Sequence, residues 1–160
     1  MSAHSTIGAK VYYAWDNDVT TTTHPTTGFA LLSDEIVSIP AFDNAPQGID
    51  VTPLSELRSI RRIPGLKDNG EDFALTANIN DTDMTLWEGL VTTAATNIPQ
   101  GKYLWLMITV PGITDAYFLS GTPVTLGLPA MDVNSAFQGE YHLTPYIDGG
   151  WDTKATITSA

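Results

Sequence analysis

All three arginines of this 160-residue chain, Arg58, Arg61 and Arg62, fall within five positions, and Lys67 follows them. A guanidinium is a rigid fork of donors that pairs bidentately with a carboxylate, so a set of this kind is suited to gripping an acidic surface. Residues 58–67 carry four positive charges and no acid, while the rest of the chain holds three basic and eighteen acidic residues, a net charge of −15. The whole chain, at −11, opposes static binding to nucleic acid, because neutralising phosphates needs Lys and Arg. The carboxylates of another subunit are then the fitting partner. Association of like copies through unlike surfaces, repeated head to tail, builds an open stack or filament. The plainer alternative is a solvated loop whose charges serve solubility.

Other chemistry-bearing residues lack a working arrangement. There is no GxSxG, HExxH or GxxxxGK[ST] pattern, and without cysteine there is no thiol nucleophile, thiolate zinc site or disulfide framework. His4, His24 and His142 are far apart and not next to acidic motifs in sequence, which reads as ordinary surface or strand residues. Asp16/Asp18, Asp81/Asp83 and Asp68/Glu71/Asp72 resemble fragments of calcium loops, yet they lack the ligand order and closing Glu, so they read as turns and helix caps. Trp15, Trp87 and Trp105 sit in core-like patterns, whereas Trp151, beside Gly149-Gly150, fits a contact residue as well as a core one. No enzyme constellation, metal site or cofactor is expected.

The elements that position these residues are mostly strands. Lys10 to Trp15 is a first strand, ended by Asp16-Asn17-Asp18, and the Thr-rich stretch from Thr20 to Thr27 reads as an exposed loop or edge. Phe29 to Ile39 supplies one strand or a pair. From Pro40 to Pro64, four prolines remove clear periodicity and predict a long loop, about 40–64, which contains the arginines. Within it Ser55 to Ile60 fits a helical turn, and Ile49 to Thr52 equally fits a short strand.

After the Asp68-Asn69-Gly70 turn, Phe73, Leu75, Ala77 and Ile79 alternate with polar or small residues, the period of a half-buried strand. Met84, Trp87, Leu90, Val91, Ala94 and Ala95 then form a helical stripe over about 82–96, with Asp81 or Thr82 as N-cap and Pro99 and Gly101 as stops. Tyr103 to Val110 is apolar on both faces and is expected at the centre of the sheet. Ala116 to Leu126 and Ser135 to Pro145 complete it, before a Gly149-Gly150 break and a Thr-rich tail. Trp87, Leu90 and Val91 are expected to pack on the strand of Leu104, Leu106 and Ile108, because each apolar surface needs the other's cover. The fold class is therefore mainly β, a β-sandwich or rolled antiparallel sheet with one flanking helix. One domain spans 1–160, with an N-terminal arm of about 1–9 and a C-terminal arm of about 149–160.

An apolar fraction of 42% is enough for a buried core and argues against disorder as the dominant state. No apolar run approaches the roughly 18 residues of a membrane helix. The N-terminus has neither the basic opening nor the apolar stretch of a secretory signal, so synthesis and folding are expected in the cytoplasm.

Ile49-Asp50-Val51-Thr52, Ile63-Pro64-Gly65-Leu66-Lys67-Asp68-Asn69-Gly70, a strand, the Trp87 helix and an aromatic-rich strand ending in Val110-Pro111-Gly112 follow one another in an order that resembles the major tail tube proteins of long-tailed, siphovirus-type bacteriophages. The likeness spans about residues 28–146. It implies a β-sandwich or partly rolled sheet with one helix, a fold that contractile-tail and type VI secretion tubes share. It also implies a structural virion protein: six copies form a ring whose strands join into an inner β-barrel, and rings stack into the tail tube through which DNA is ejected. The long loop would be the stacking contact, which puts Arg58, Arg61, Arg62 and Lys67 at the inter-ring surface.

The implied partners are further copies of the chain, a tape measure protein in the lumen during assembly, and the tail terminator and distal tail or baseplate proteins, with assembly in the host cytoplasm. DNA would pass without specific binding, since a ring of six carries −66 and repels phosphate. Two departures from the family stand out: no immunoglobulin-like domain is expected after the last strand, and the stretch before Pro64-Gly65 is more basic than is usual. The competing functions are a tail terminator or head–tail connector ring, and a carbohydrate-binding module using Trp151 and Tyr146 as a sugar platform.

Overall fold

The computed structural model describes residues 8–15, 24–42, 48–56, 58–64, 72–134 and 136–157. Seven strands form one antiparallel sheet: β1 (Lys10–Trp15), β2 (Ala30–Leu31), β3 (Ile36–Ser38), β6 (Phe73–Asn78), β7 (Leu104–Thr109), β8 (Asp115–Pro123) and β9 (Gln138–Thr153), in the order β2-β1-β7-β8-β9-β6-β3. Two further strands, β4 (Gly48–Asp50) and β5 (Arg62–Pro64), pair only with each other. The helix α1 (Asp81–Asn97) runs into a 3-10 turn, Ile98–Gln100, closed by Gly101 in the left-handed region. The chain is mainly β, a curled sheet with one helix, as expected.

The curl has a cause in β9. Its first part, Gln138 to Leu143, pairs with β6, and from Leu143 to Thr153 it pairs with β8, so one strand joins the two wings of the sheet. The β8–β9 register shifts twice, leaving Tyr146 and Gly149 as extra residues on β9. Bulges of this kind increase local twist and bend the strand. Pro145 lies where β9 has β8 on one side and no β6 partner on the other, a position at which a missing N–H is tolerated. The Gly149-Gly150 pair thus bulges the strand instead of ending it, contrary to the break expected there.

Alternation along the strands separates two buried clusters. Val11, Leu104, Leu106, Ile108 and Leu119 face one side, together with Phe73, Leu75, Ala77, Tyr141 and Leu143 of β6 and β9, and Trp87 and Leu90 of the helix. Ala14, Trp105, Met107, Ala116 and Phe118 face the other side, beneath Phe29 and Ala155. Strand β7 is apolar on both faces for this reason, although it is third in the sheet and β8 is the middle strand. Val91 is half-buried at the border of the first cluster. The helix sits closest to β8 and is tied to the segment that follows it: Trp87 Nε1 donates to the Val124 carbonyl at 2.8 Å and Glu88 Oε1 accepts from Leu126 N–H at 2.8 Å.

Its N-cap is Asn80, whose side chain accepts from Asp83 N–H at 2.9 Å, one residue before the expected Asp81 or Thr82. Phe29 to Ile39 yields a pair of strands, and the 40–64 loop is organised around the β4–β5 hairpin, so of the two elements that fitted it the strand forms. At the end of the Thr-rich stretch His24 is buried, not exposed. The Asp68-Asn69-Gly70 turn and the outer parts of both arms, 1–7 and 158–160, lie outside the described residues. No helix is long and apolar enough to cross a membrane among the described residues.

Candidate functional site

The arginines stand on the β4–β5 hairpin. Its register is Gly48↔Pro64, Ile49↔Ile63 and Asp50↔Arg62, extended by Val51 N–H donating to the Arg61 carbonyl at 2.9 Å. The connecting segment is tied internally. Arg61 N–H donates to Thr52 Oγ1 at 2.7 Å, Thr52 N–H donates to Asp50 Oδ1 at 2.9 Å, and Glu56 N–H donates to the Pro53 carbonyl at 3.0 Å. The Thr52 hydroxyl, and after it the Thr52 N–H, hold the Asp50 carboxyl below its ordinary range. A short ribbon that cannot bury a face thus gains its order from turn hydrogen bonds.

Within this ribbon the arginines differ. Arg61 is neutralised locally, its guanidinium 2.9 Å from Glu56 Oε2, with Arg61 largely exposed and Glu56 largely covered. Glu56 also accepts from Arg58 N–H at 3.0 Å. The guanidinium groups of Arg58 and Arg62 have no carboxylate partner among the described residues. The Arg62 stem lies across Gly48, where a Cβ would meet its Cδ at 3.0 Å. Lys67 lies outside the described residues.

The charge pattern did not reveal the apolar half of this surface. Ile49, Val51, Leu54, Ile60 and Ile63 are all exposed, and none joins either buried cluster. A five-residue apolar set interleaved with free guanidinium groups is the composition of a contact surface, in which aliphatic side chains supply area and arginines supply direction. The sequence signal was present as Ile49, Val51, Ile60 and Ile63 themselves; burial in a core was the competing explanation.

A second surface comes from the outward faces of β6 and β9. Asn78, Thr76 and Ala74 stand opposite Gln138, Glu140 and His142. His142 Nδ1 is 2.9 Å from Asp72 Oδ2 and its Nε2 is 3.3 Å from Glu140 Oε2. Leu128, Pro129 and Ala130 overhang this strip and enclose a groove of about 550 Å³. Leu128, Met131 and Val133 are exposed along the same loop.

His24 and His142 therefore meet carboxylates through the fold, despite their isolation in sequence, while His4 lies outside the described residues. His24 stacks on Phe118 with ring centroids 3.6 Å apart, and its Nε2 lies 2.7 Å from Asp152 Oδ2. That contact, followed by the Thr153 N–H, keeps the Asp152 carboxyl below its ordinary range. Neither group assembles a metal site: among the described residues no cluster of three or more His, Cys, Asp or Glu side chains is arranged to hold an ion.

Trp151 and Tyr146 are both exposed, but they belong to separate pairs. Trp151 meets Tyr117 edge to face at 5.3 Å, and Tyr146 leans on Tyr103 at 4.3 Å.

No protein-family model matches the sequence, and no curated protein matches it. Among solved structures the chain is similar to one in "Cryo-EM structure of the anti-feeding prophage (AFP) baseplate, 6-fold symmetrised", at 12% identity, with a TM-score of 0.60 and 92% of each chain covered. The two chains share a fold.

Proposed function

We propose that this chain is a structural subunit of a phage tail, and specifically of the tail tube, assembling into six-membered rings that stack into the conduit for DNA ejection. The observation that carries the reading is the fold shared, over 92% of both chains, with a chain of a six-fold symmetrised prophage baseplate. The hairpin supports it from the physics. A free cationic, apolar ribbon on a chain whose remaining surface is strongly acidic is self-complementary only between unlike surfaces, and such contacts propagate. The sheet ends in β2 and β3, whose outer edges would supply backbone donors and acceptors for lateral pairing within a ring. The tape measure, terminator and baseplate partners of tail tubes belong to this reading, as does a role without catalysis.

A second reading is a ring protein that caps or connects the tube, favoured by the baseplate origin of the similar chain. Negative-stain microscopy of concentrated purified protein separates the two. Long tubes support the tube subunit, and rings that never elongate support the cap. Reversing Arg58, Arg61 and Arg62 to Glu should leave a folded subunit, since the hairpin belongs to neither core, while blocking elongation. Tubes growing at the wild-type rate from the triple variant would make the arginines solvated charges.

A further inference from the structure

We infer that the groove between the Leu128–Ala130 overhang and the β6–β9 strip receives the β4–β5 hairpin of a second copy of this chain. The inference rests on the stacking role proposed above and names the surface that the hairpin meets. Both surfaces are mixed in the same way and opposite in sign. The hairpin presents Ile49 and Ile63 as an exposed cross-strand pair beside the unpaired guanidinium groups of Arg58 and Arg62. The groove presents Leu128 beside the Glu140 carboxylate, and no Lys or Arg lines it.

Glu140 is half-exposed, and its one ion-pair neighbour among the described residues is the His142 ring at 3.3 Å, a distance that leaves oxygen lone pairs for a guanidinium. Asp72 is a second carboxylate nearby, 2.9 Å from the Nδ1 of His142, which lines the groove. Within one chain the two surfaces are not joined: no hydrogen bond or ion pair links residues 48–64 to the groove among the described residues. Among the described residues each surface is left open to its complement on another molecule, and each molecule carries one of each.

The chain has no cysteine, so an introduced pair reports the contact without competition. Ile63→Cys and Leu128→Cys are made in separate proteins, both at exposed positions, then mixed and oxidised. A disulfide-linked heterodimer should form at about tenfold the yield of a control mixture of Ile63→Cys with Val37→Cys, because a shared contact raises effective concentration. The protein carrying both Ile63→Cys and Leu128→Cys should give a ladder of covalent oligomers. A closed intrachain disulfide in place of the ladder, or a heterodimer yield equal to the control, overturns the assignment.

Charge exchange gives a second readout. Glu140→Arg alone should block elongation, and combining it with the triple Arg→Glu variant should restore it. If the triple variant is blocked while Glu140→Arg elongates as wild type, the hairpin stacks on some other surface and the groove assignment alone falls. If the triple variant elongates as well, the stacking role falls with it.

Discussion

Tyr141 lies under the helix, 5.0 Å from the Trp87 ring, with its hydroxyl unbonded. Burial, and secondarily the charge of Asp83, push its phenol up to about 12 from the usual value of about 10. Because the folded state holds this proton more tightly than the unfolded chain, its contribution to stability is complete below about pH 10 and is lost as pH rises from there toward 12. Tyr141→Phe should therefore flatten the alkaline unfolding curve across that window, by about 1–3 kcal/mol at its upper end. At neutral pH the same change should cost little, since no hydrogen bond is removed. Chemical denaturation at a series of pH values checks both halves. Gly149 is a second position where one atom decides the outcome, because a Cβ there would sit 2.9 Å from the Trp105 ring and 3.0 Å from Phe118 Cβ. Gly149→Ala should lower stability by about 1–3 kcal/mol, read as a falling denaturation midpoint, through forced displacement of two buried aromatics.

The helix and the sheet each depend on the other at the level of elements. Leu90 is buried between them in the cluster that holds Leu104, Leu106 and Ile108, so Leu90→Ala should cost about 2–5 kcal/mol. An unchanged melting midpoint would remove helix-on-sheet packing as a source of stability. Elements with long regular burial were legible in the sequence: the alternation of Phe73, Leu75 and Ala77 marks β6, and the stripe through Trp87 and Leu90 marks α1. Strands of two or three residues, β2 to β5, are too short to show a period, which is why 40–64 read as loop. Gly149-Gly150 misled because a glycine pair signals a bulge and a strand end alike. The second buried face is legible in β7, apolar on both sides, but its cover is not, since Phe29 and Ala155 come from segments with no periodicity. The arginine set was legible because its charge is local in sequence. The groove was not, because Asp72 and His142 lie 70 positions apart and meet only when β6 pairs with β9.

For the whole molecule, the separation of charge sets how the proposed stacking should respond to solution conditions. Individual exposed ion pairs contribute about 0–1 kcal/mol, but a contact repeated around a ring adds its small terms together. Raising salt from about 0.15 M to 1 M shortens the screening length from about 8 Å to 3 Å and should slow elongation, to the extent that the pairs stay open to solvent. The apolar half of the hairpin predicts the opposite sign with sulfate, which strengthens apolar burial. Light scattering in sodium chloride and in sodium sulfate at matched ionic strength separates the two terms, and equal slowing in both would leave the apolar residues without a part in stacking.

Strand β9 also has a mechanical meaning. It is sixteen residues long and pairs with β8 from Leu143 to Thr153, across two bulges, while pairing with β6 along its other part. Hydrogen bonds in an antiparallel ladder run across the strands, so traction along β9 loads the rungs side by side and none can tear alone. The strand behaves as a tendon through the subunit, and tension between its two wings is borne in shear, the direction in which a ladder yields last.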